Sequence, residues 1–204
     1  MKRNQLLMGP TKERGIKMRR ADRAMDEAFA LEIIDEAAYG VLSLSSLEGP
    51  YGIPLSLVRE GKRLYFHTAR EGKKLSWIQE GAPVWVTFVS RVQVPDLFSE
   101  EELEDIASDP AMVGQLISSV FTTEFASAMV AGKIYEVVDN DEKALALKLA
   151  CLKYTPDKMD YFKIALASGM SRTRVFAIDM EDISGKRKKY DETGREMKFG
   201  RMLE

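Results

Sequence analysis

The spacing of apolar residues changes along the chain, from a helical period near the N-terminus to a strand period further on. Within residues 22–38, apolar side chains recur every four positions, at Met25, Phe29, Ile33 and Ala37. This repeat is typical of one face of an α-helix. The sequence therefore predicts an amphipathic helix that is capped near Asp22 and lies against a core.

From Gly40 onward, short β-rich segments alternate with turn residues. Six segments have this character: residues 40–45, 51–58, 62–67, 83–89, 127–137 and 174–179. The first strands follow one another without intervening helices, which favours an antiparallel meander and a small barrel over a doubly wound parallel sheet. A further helix is predicted at residues 141–153, before the last strand, because leucines mark one of its faces.

A long acidic connection separates the fourth and fifth predicted strands. Residues 92–121 contain seven acidic side chains and no basic one. Ser99 followed by Glu102 is a capping-box pattern, so we predict a short acidic helix there and a second helix in residues 111–120. We interpret the insertion, residues 92–125, as a solvated helical cover. The alternatives are a lid and a dock for a basic arm at the N-terminus.

Charged segments flank a single predicted domain. Residues 1–20 carry seven basic side chains and one acidic one, with glycine and proline interrupting any helical period, which predicts an arm. Residues 187–204 are mostly charged and are predicted to be a tail. The domain itself is expected to span residues 21–186, in keeping with the chain length of 204 residues.

Composition narrows the classes of partner and of chemistry. Thirty basic and 32 acidic residues give a net charge of −2, which does not favour nucleic acid or an anionic membrane as the main partner. The sequence shows neither a secretory signal nor an apolar run of about 18 residues, so a cytoplasmic location is expected. With one cysteine, Cys151, and one histidine, His67, neither an internal disulfide nor a His-rich metal site is expected.

Residues 64–78 contain the most informative group of candidate binding and catalytic residues. A predicted strand ends at His67 and Thr68, and a helix is predicted to begin near Gly72, so backbone N–H groups converge there. Lys73 and Lys74 in the first helical turn are unfavourable unless an anion is bound, and they indicate a phosphate site. His67 lies on the strand face opposite Phe66; it is either an ordinary exposed histidine or a proton donor or acceptor beside a ligand.

Three segments in order resemble the 5-nitroimidazole-resistance (Nim) branch of the pyridoxamine 5'-phosphate oxidase-like superfamily. They are residues 18–23, 49–56 and 64–74, and the most specific motif among them is Tyr-Phe-His-Thr-Ala-x-x-Gly-x-Lys at residues 65–74. Weaker matches, including Tyr154-Thr-Pro156, extend the resemblance to Lys186. Phe121 and Ser56 stand where members of that branch often have cysteine and asparagine.

This resemblance implies a mainly β fold with helices (α+β), a six-stranded antiparallel split β-barrel of the FMN-binding type. Such proteins are usually homodimers with FMN between the subunits. By the same resemblance, His67 lies at the active site near flavin and substrate. The implied cofactor-binding residues are Thr68, Lys73 and Lys74 at the FMN phosphate, Pro54, Leu55 and Ser56 beside the isoalloxazine ring, and Ser127 near the flavin.

The expected function is that of an FMN-dependent oxidoreductase that reduces a small electron-poor substrate, similar to a nitroimidazole reductase, with electrons from a nicotinamide or another donor. His67 would donate a proton or a hydrogen bond to that substrate. Two alternatives stay open: a non-catalytic flavin-binding or sensing module that acts through a protein partner, and a split barrel that uses another cofactor such as haem or a deazaflavin. No Trp-x-x-Arg motif occurs near the C-terminus, so oxidation of vitamin B6 is not expected.

Overall fold

The computed structural model describes residues 18–199, which build one antiparallel sheet with helices around it. The strands run in the order β3-β2-β6-β7-β8-β5-β4, with β1 paired to β8 as well. Their bounds are β1 (Ala24–Met25), β2 (Gly40–Ser46), β3 (Gly49–Leu55), β4 (Val58–Glu60), β5 (Arg63–Ala69), β6 (Pro83–Gln93), β7 (Glu124–Glu136) and β8 (Thr173–Lys188). The predicted mainly antiparallel α+β fold is confirmed.

The order of the strands closes the sheet into a barrel. β3 and β4 stand at opposite ends of the hydrogen-bonded path, yet only Ser56 and Leu57 separate them along the chain. The two ends of the path are therefore joined covalently. The sequence predicts a single strand over residues 51–58, but the chain leaves β3 and enters β4 within that segment. This division and the two-residue β1 give eight strands where six are predicted.

The barrel interior is filled by alternate residues of the strands. Leu42, Val86 and Phe88 have no exposed surface, and Val130 and Ile178 have at most 1%. α1 (Glu27–Glu36) contributes Phe29, Ala30, Ile33 and Ile34 to the same core. These residues are apolar at alternate or helically spaced positions, as burial on one face requires.

α1 begins later than the sequence predicts. Its N-cap is Asp26, whose carboxylate accepts a hydrogen bond from the Phe29 amide at 2.8 Å, whereas Asp22 lies in a 3₁₀ turn. Met25 continues the helical period in the sequence but pairs with Gly185 in β8 instead. The prediction of a cap near Asp22 is therefore wrong, since strand pairing takes the residues before Asp26 out of the helix.

A second, smaller core lies under α4 (Asn140–Tyr154), which covers β4, β5 and β8. Its buried residues are Val58, Tyr65, Val137, Ala146, Val175 and Ala177. The helix agrees with the predicted residues 141–153, and Cys151 is a partly buried free thiol within it. α5 (Phe162–Gly169) then leads to β8. None of the helices within residues 18–199 is long and apolar enough to cross a membrane.

The acidic insertion packs against the segment that follows β8. α3 (Glu100–Ser108) begins with the predicted capping box, in which the Ser99 hydroxyl accepts from the Glu102 amide. The second predicted helix is reduced to a π-helical turn at Leu116–Val120. The Tyr190 hydroxyl donates to the Ser118 carbonyl. The insertion is therefore anchored at its C-terminal end.

The predicted tail and arm are described only in part. Within the predicted tail, β8 continues to Lys188, and Tyr190 and Met197 are buried. The predicted arm falls almost wholly on residues 1–17, which lie outside the described residues, as do residues 200–204.

Candidate anion-binding site

β5 directs alternate side chains toward two different environments. Leu64, Phe66 and Thr68 are buried on the barrel side of the strand. Tyr65 and His67 face a narrow crevice under α4, which Ala146 and Ala150 also line. Thr68 and His67 are neighbours in sequence, so the end of this strand presents a hydroxyl to one side and an imidazole to the other.

Thr68 carries an unsatisfied polar atom. Thr68 is 4% exposed. Within residues 18–199, its Oγ1 is the one buried side-chain oxygen or nitrogen that has no hydrogen-bond partner. Buried polar groups are nearly always paired, because leaving one unpaired costs about 1–3 kcal/mol. The hydroxyl is therefore available to a ligand bound at the end of β5.

The turn after β5 exposes backbone amides. Gly72 has a φ of +134°, a conformation that favours glycine, and it is the N-cap of α2 (Lys73–Trp77). Because Gly72 has no side chain, the first amides of α2 receive no side-chain cap. α2 has only five residues, so its dipole contributes little, and the amides and lysines must supply most of the attraction for an anion.

The two lysines of this turn have different surroundings. The Lys73 ammonium lies 5.3 Å from the centre of the Tyr51 ring and 5.9 Å from that of Trp77, within reach of cation–π attraction. The Lys74 ammonium forms no ion pair or hydrogen bond with any group of residues 18–199. Lys73 is thus oriented by aromatic rings, while the charge of Lys74 remains uncompensated.

The electrostatics of His67 connect it to this turn. Its pKa is lowered from the ordinary value of 6.5, first because part of the ring is removed from water and second because the charge of Lys74 repels a proton on the imidazole. The imidazole is therefore neutral at pH 7, with one N–H donor and one acceptor nitrogen. A bound anion beside Lys74 would reduce this repulsion.

Ser56 approaches the same strand end. β4 pairs with β5 so that Val58 lies opposite Tyr65, and Ser56 comes two residues before Val58 in the chain. The connection is held by the end of α4: the Lys153 ammonium and the Tyr154 hydroxyl both donate to the Leu57 carbonyl at 3.2 Å. Sequence analysis did not predict these two anchoring residues, although Tyr154 lies in one of the weaker matching segments.

The predicted site residues fall into two separate groups. His67, Thr68, Lys73, Lys74 and Ser56 gather around the end of β5, and Leu55 is buried at the end of β3. Pro54, which directly precedes Leu55, lies on the outer side of the sheet, and Ser127 forms the second group on the outer side of β7.

The distance between the groups follows from the pairing of β8. His67 lies opposite Val175 and Ser127 opposite Lys186. At about 3.3 Å per residue, these positions are roughly 35 Å apart along the strand. This is the length of the path along β8; around the barrel, the pairs Leu55–Gly40, Gly40–Phe88 and Phe88–Ala128 place Ser127 three strands away from the end of β3.

Ser127 lies within an apolar outer face of the barrel. Val89, which pairs with Ser127, is 51% exposed, and Met129 is 41% exposed. The face also includes Val41, Trp85, Phe125 and Ala131. Contiguous apolar surface of this kind is typical of a protein–protein contact.

Solved structures with the same fold have varied descriptions. A 5-nitroimidazole antibiotic resistance protein from Bacteroides thetaiotaomicron is 23% identical, with a TM-score of 0.59 over 80% of this chain and 86% of that chain. The flavocytochrome Anf3 from Azotobacter vinelandii is 17% identical, with a TM-score of 0.62 over 81% of this chain and 69% of that one. An FAD and heme binding protein from Mycobacterium smegmatis is 16% identical, with a TM-score of 0.62 over 87% and 83% of the two chains.

The sequence also matches a family as a whole. No curated protein matches the chain. The family described as pyridoxamine 5'-phosphate oxidase matches residues 26–187, which include every strand from β2 to β7, nearly all of β8 and both groups of candidate residues. This match confirms the resemblance found in the sequence, and the chain belongs to the pyridoxamine 5'-phosphate oxidase family.

Proposed function

We propose that this chain is a cytoplasmic flavin-dependent oxidoreductase that binds FMN and reduces a small electron-poor substrate with electrons from a nicotinamide or another donor. The observation that carries the proposal is the unpaired, buried hydroxyl of Thr68 beside the uncapped turn at Gly72 and the uncompensated charge of Lys74. Family membership supports it. It is also supported by solved structures with the same fold, of which two are named as FAD-binding proteins and one as a 5-nitroimidazole antibiotic resistance protein.

The residues at the end of β5 fit a phosphate group. The Thr68 hydroxyl and the amides of the α2 turn would donate hydrogen bonds to phosphate oxygens, and Lys74, with Lys73 beside it, would supply positive charge. Pro54, Leu55 and Ser56 would lie beside the flavin ring. When bound, the flavin supplies the transfer of hydride or electrons, which no side chain of the protein can perform.

His67 would contribute proton chemistry next to that ring. Its lowered pKa keeps the imidazole neutral at pH 7, so its N–H can donate a hydrogen bond to a substrate oxygen or nitrogen. The crevice under α4 limits access of water to one side of the His67 imidazole ring. His67 would therefore orient the substrate and stabilise negative charge that develops on it during reduction.

A homodimer would complete the site. Ser127 is three strands away from the end of β3 within one chain, and it lies on the apolar outer face that remains exposed. If two copies associate through this face, Ser127 of the second copy can lie near the flavin bound by the first. We therefore propose that the flavin binds between two copies of the chain.

The first test is the visible spectrum of the purified protein, followed by acid release and identification of the chromophore. Wild type should carry FMN, and the Lys73→Ala/Lys74→Ala double variant should lose it. Lys148→Ala, which removes an exposed lysine of α4, should keep it. A colourless wild type that FMN cannot reconstitute would overturn the proposal.

A non-catalytic flavin module is the second candidate. Ile117 and Phe121, which are 77% and 79% exposed on the acidic insertion, favour it because apolar surface of this kind can contact a partner protein. Anaerobic mixing of the flavin-loaded protein with NADH or NADPH separates the two candidates. Bleaching of the flavin followed by reoxidation by a nitroaromatic acceptor supports the reductase, and a flavin that no donor reduces supports the module.

A further inference from the structure

An open basin lies next to the candidate phosphate site. It is lined by Ala69, Arg70, Glu71, Ser171 and Arg172 and has a volume of about 480 Å³. Ala69 lies opposite Thr173 at the ends of β5 and β8, so the basin is bounded by the turn that leaves β5 and the turn that enters β8.

Two arginines give the basin its charge. Arg70 donates one hydrogen bond to the Ser171 carbonyl at 3.2 Å, which holds its guanidinium across the basin. Neither Arg70 nor Arg172 forms an ion pair with a carboxylate of the described residues. Other arginines of the fold do form such pairs, namely Arg20, Arg23, Arg59, Arg63, Arg91 and Arg174. Guanidinium groups left without a carboxylate are well suited to bind phosphate through paired hydrogen bonds.

The basin and the candidate phosphate site are formed by neighbouring residues of the chain. Glu71, which lines the basin, is followed directly by Gly72 and the two lysines of the α2 turn. A ligand with two linked phosphates could therefore engage both positions at once. Glu71 is the acidic residue of the lining, and its charge opposes an anion, so it would weaken binding of the second phosphate rather than create the site.

We propose that this basin binds the second phosphate group of a nucleotide ligand whose other part occupies the flavin site. The proposal rests on the proposed function, since the first phosphate position is the flavin phosphate. The chemistry fits two sources: the adenylate half of a flavin dinucleotide, or a phosphate of a separate nicotinamide donor. Arg172 would supply most of the attraction for the phosphate, because one N–H of Arg70 already donates a hydrogen bond to the Ser171 carbonyl.

The test compares ligands that differ by a phosphate. The flavin is removed from the full chain, and the affinities of FMN and FAD are measured by quenching of flavin fluorescence for wild type, Arg172→Ala and Glu71→Gln. Arg19→Ala, an exposed arginine outside the basin, serves as the matched control. In a second arm, the affinities of NADH and NADPH are measured on the FMN-loaded proteins.

We expect wild type and the three variants to bind FMN with equal affinity. Equal FMN binding would also show that the variants are folded. FAD affinity should fall roughly tenfold in Arg172→Ala and rise in Glu71→Gln, because loss of a charged hydrogen bond and loss of a repelling charge act in opposite directions. If FAD affinity is unchanged but that of NADPH shifts in this pattern, the phosphate belongs to the nicotinamide donor, and the basin is still supported.

Two results would overturn the inference, and they are distinguishable. If FMN binds but neither variant alters the binding of FAD, NADH or NADPH, the basin is not a nucleotide site and the proposed function stands. If wild type binds neither FMN nor FAD, the proposed function fails and the basin assignment fails with it.

Discussion

At the scale of single residues, the candidate site combines one unpaired hydroxyl with one unpaired charge. Among residues 18–199, neither the Thr68 Oγ1 nor the Lys74 ammonium has a hydrogen-bond or ion-pair partner. The sequence predicts both as phosphate ligands, but it does not show that they are unpaired. Whether these two groups find partners depends on the residues that β8 and the aromatic pair of Tyr51 and Trp77 bring into this region of the fold. A local sequence pattern does not contain that information.

The coupling between Lys74 and His67 can be measured directly, because His67 is the sole histidine of the chain. Lys74→Ala should raise the pKa of His67, since it removes a positive charge that disfavours the imidazolium. Proton NMR of the imidazole as a function of pH gives the value. Lys73→Ala is the matched control and should have a smaller effect. An unchanged His67 pKa in Lys74→Ala would show that the two groups are not close in solution.

The same lowered pKa predicts how stability depends on pH. The unfolded state binds a proton on His67 near pH 6.5, whereas the folded state binds it only at lower pH. The free energy of unfolding should therefore be unaffected by this group above about pH 6.5 and should decrease as the pH falls from there through the folded pKa. Urea titrations between about pH 5 and pH 8 should show this loss in wild type and a smaller loss in His67→Gln.

At the scale of elements, the connection between β3 and β4 depends on the end of α4. Lys153 and Tyr154 both donate to the Leu57 carbonyl, and Lys153 also donates to the Ile34 carbonyl at 3.3 Å. The helix thereby ties the closing point of the barrel to α1. Since Ser56 directly precedes Leu57, these contacts also restrict the position of Ser56.

Removal of one of these contacts should loosen the connection without unfolding the barrel. Tyr154→Phe should lower the free energy of unfolding by about 0.5–1.5 kcal/mol, the usual value of one hydrogen bond, and weaken flavin binding because Ser56 moves. Urea titration and flavin fluorescence measure the two effects. Tyr161→Phe, at a residue that is 67% exposed, is the control and should change neither. Full stability and affinity in Tyr154→Phe would contradict this role of α4.

The elements differ in how far the sequence predicts them. α3 is predicted well because its capping box is local. The bounds of α4 are predicted well too, although Leu145 and Leu152 of its predicted apolar face are 39% and 45% exposed and the buried residue of the helix is Ala146. The start of α1 is not, because Met25 fits the helical period but gains a strand partner in β8. The break at Ser56 is also missed, because apolar alternation continues through Leu55 and Leu57 although the chain passes from one edge of the sheet path to the other.

At the scale of the whole molecule, Ser127 and the candidate residues at the end of β5 stand on different strands, and the proposed dimer would bring Ser127 of one copy to the site of the other. Each residue can be identified from sequence, but their separation depends on the order of strands in the sheet. That order joins segments far apart in sequence, such as β5 and β8, so no local pattern encodes it.

A charge on the apolar outer face should prevent association. Met129→Lys should convert a dimer to a monomer and lose flavin at the same time, because Ser127 of the second copy is withdrawn. Light scattering after size-exclusion chromatography and the visible spectrum record both properties. Ile164→Lys, at a residue of α5 that is 76% exposed, should leave both unchanged. A flavin-loaded monomer of Met129→Lys would show that one chain is sufficient for the site.

The position of β8 also determines when the protein can fold during synthesis. This strand is the last of the sheet to leave the ribosome, yet it lies between β7 and β5 and pairs with β1 as well. Until it emerges, a nascent chain has two open strand edges and a barrel that cannot close. The barrel therefore cannot complete its folding before β8 emerges, and chains that stall before residue 173 should expose edges that promote aggregation and recruit chaperones.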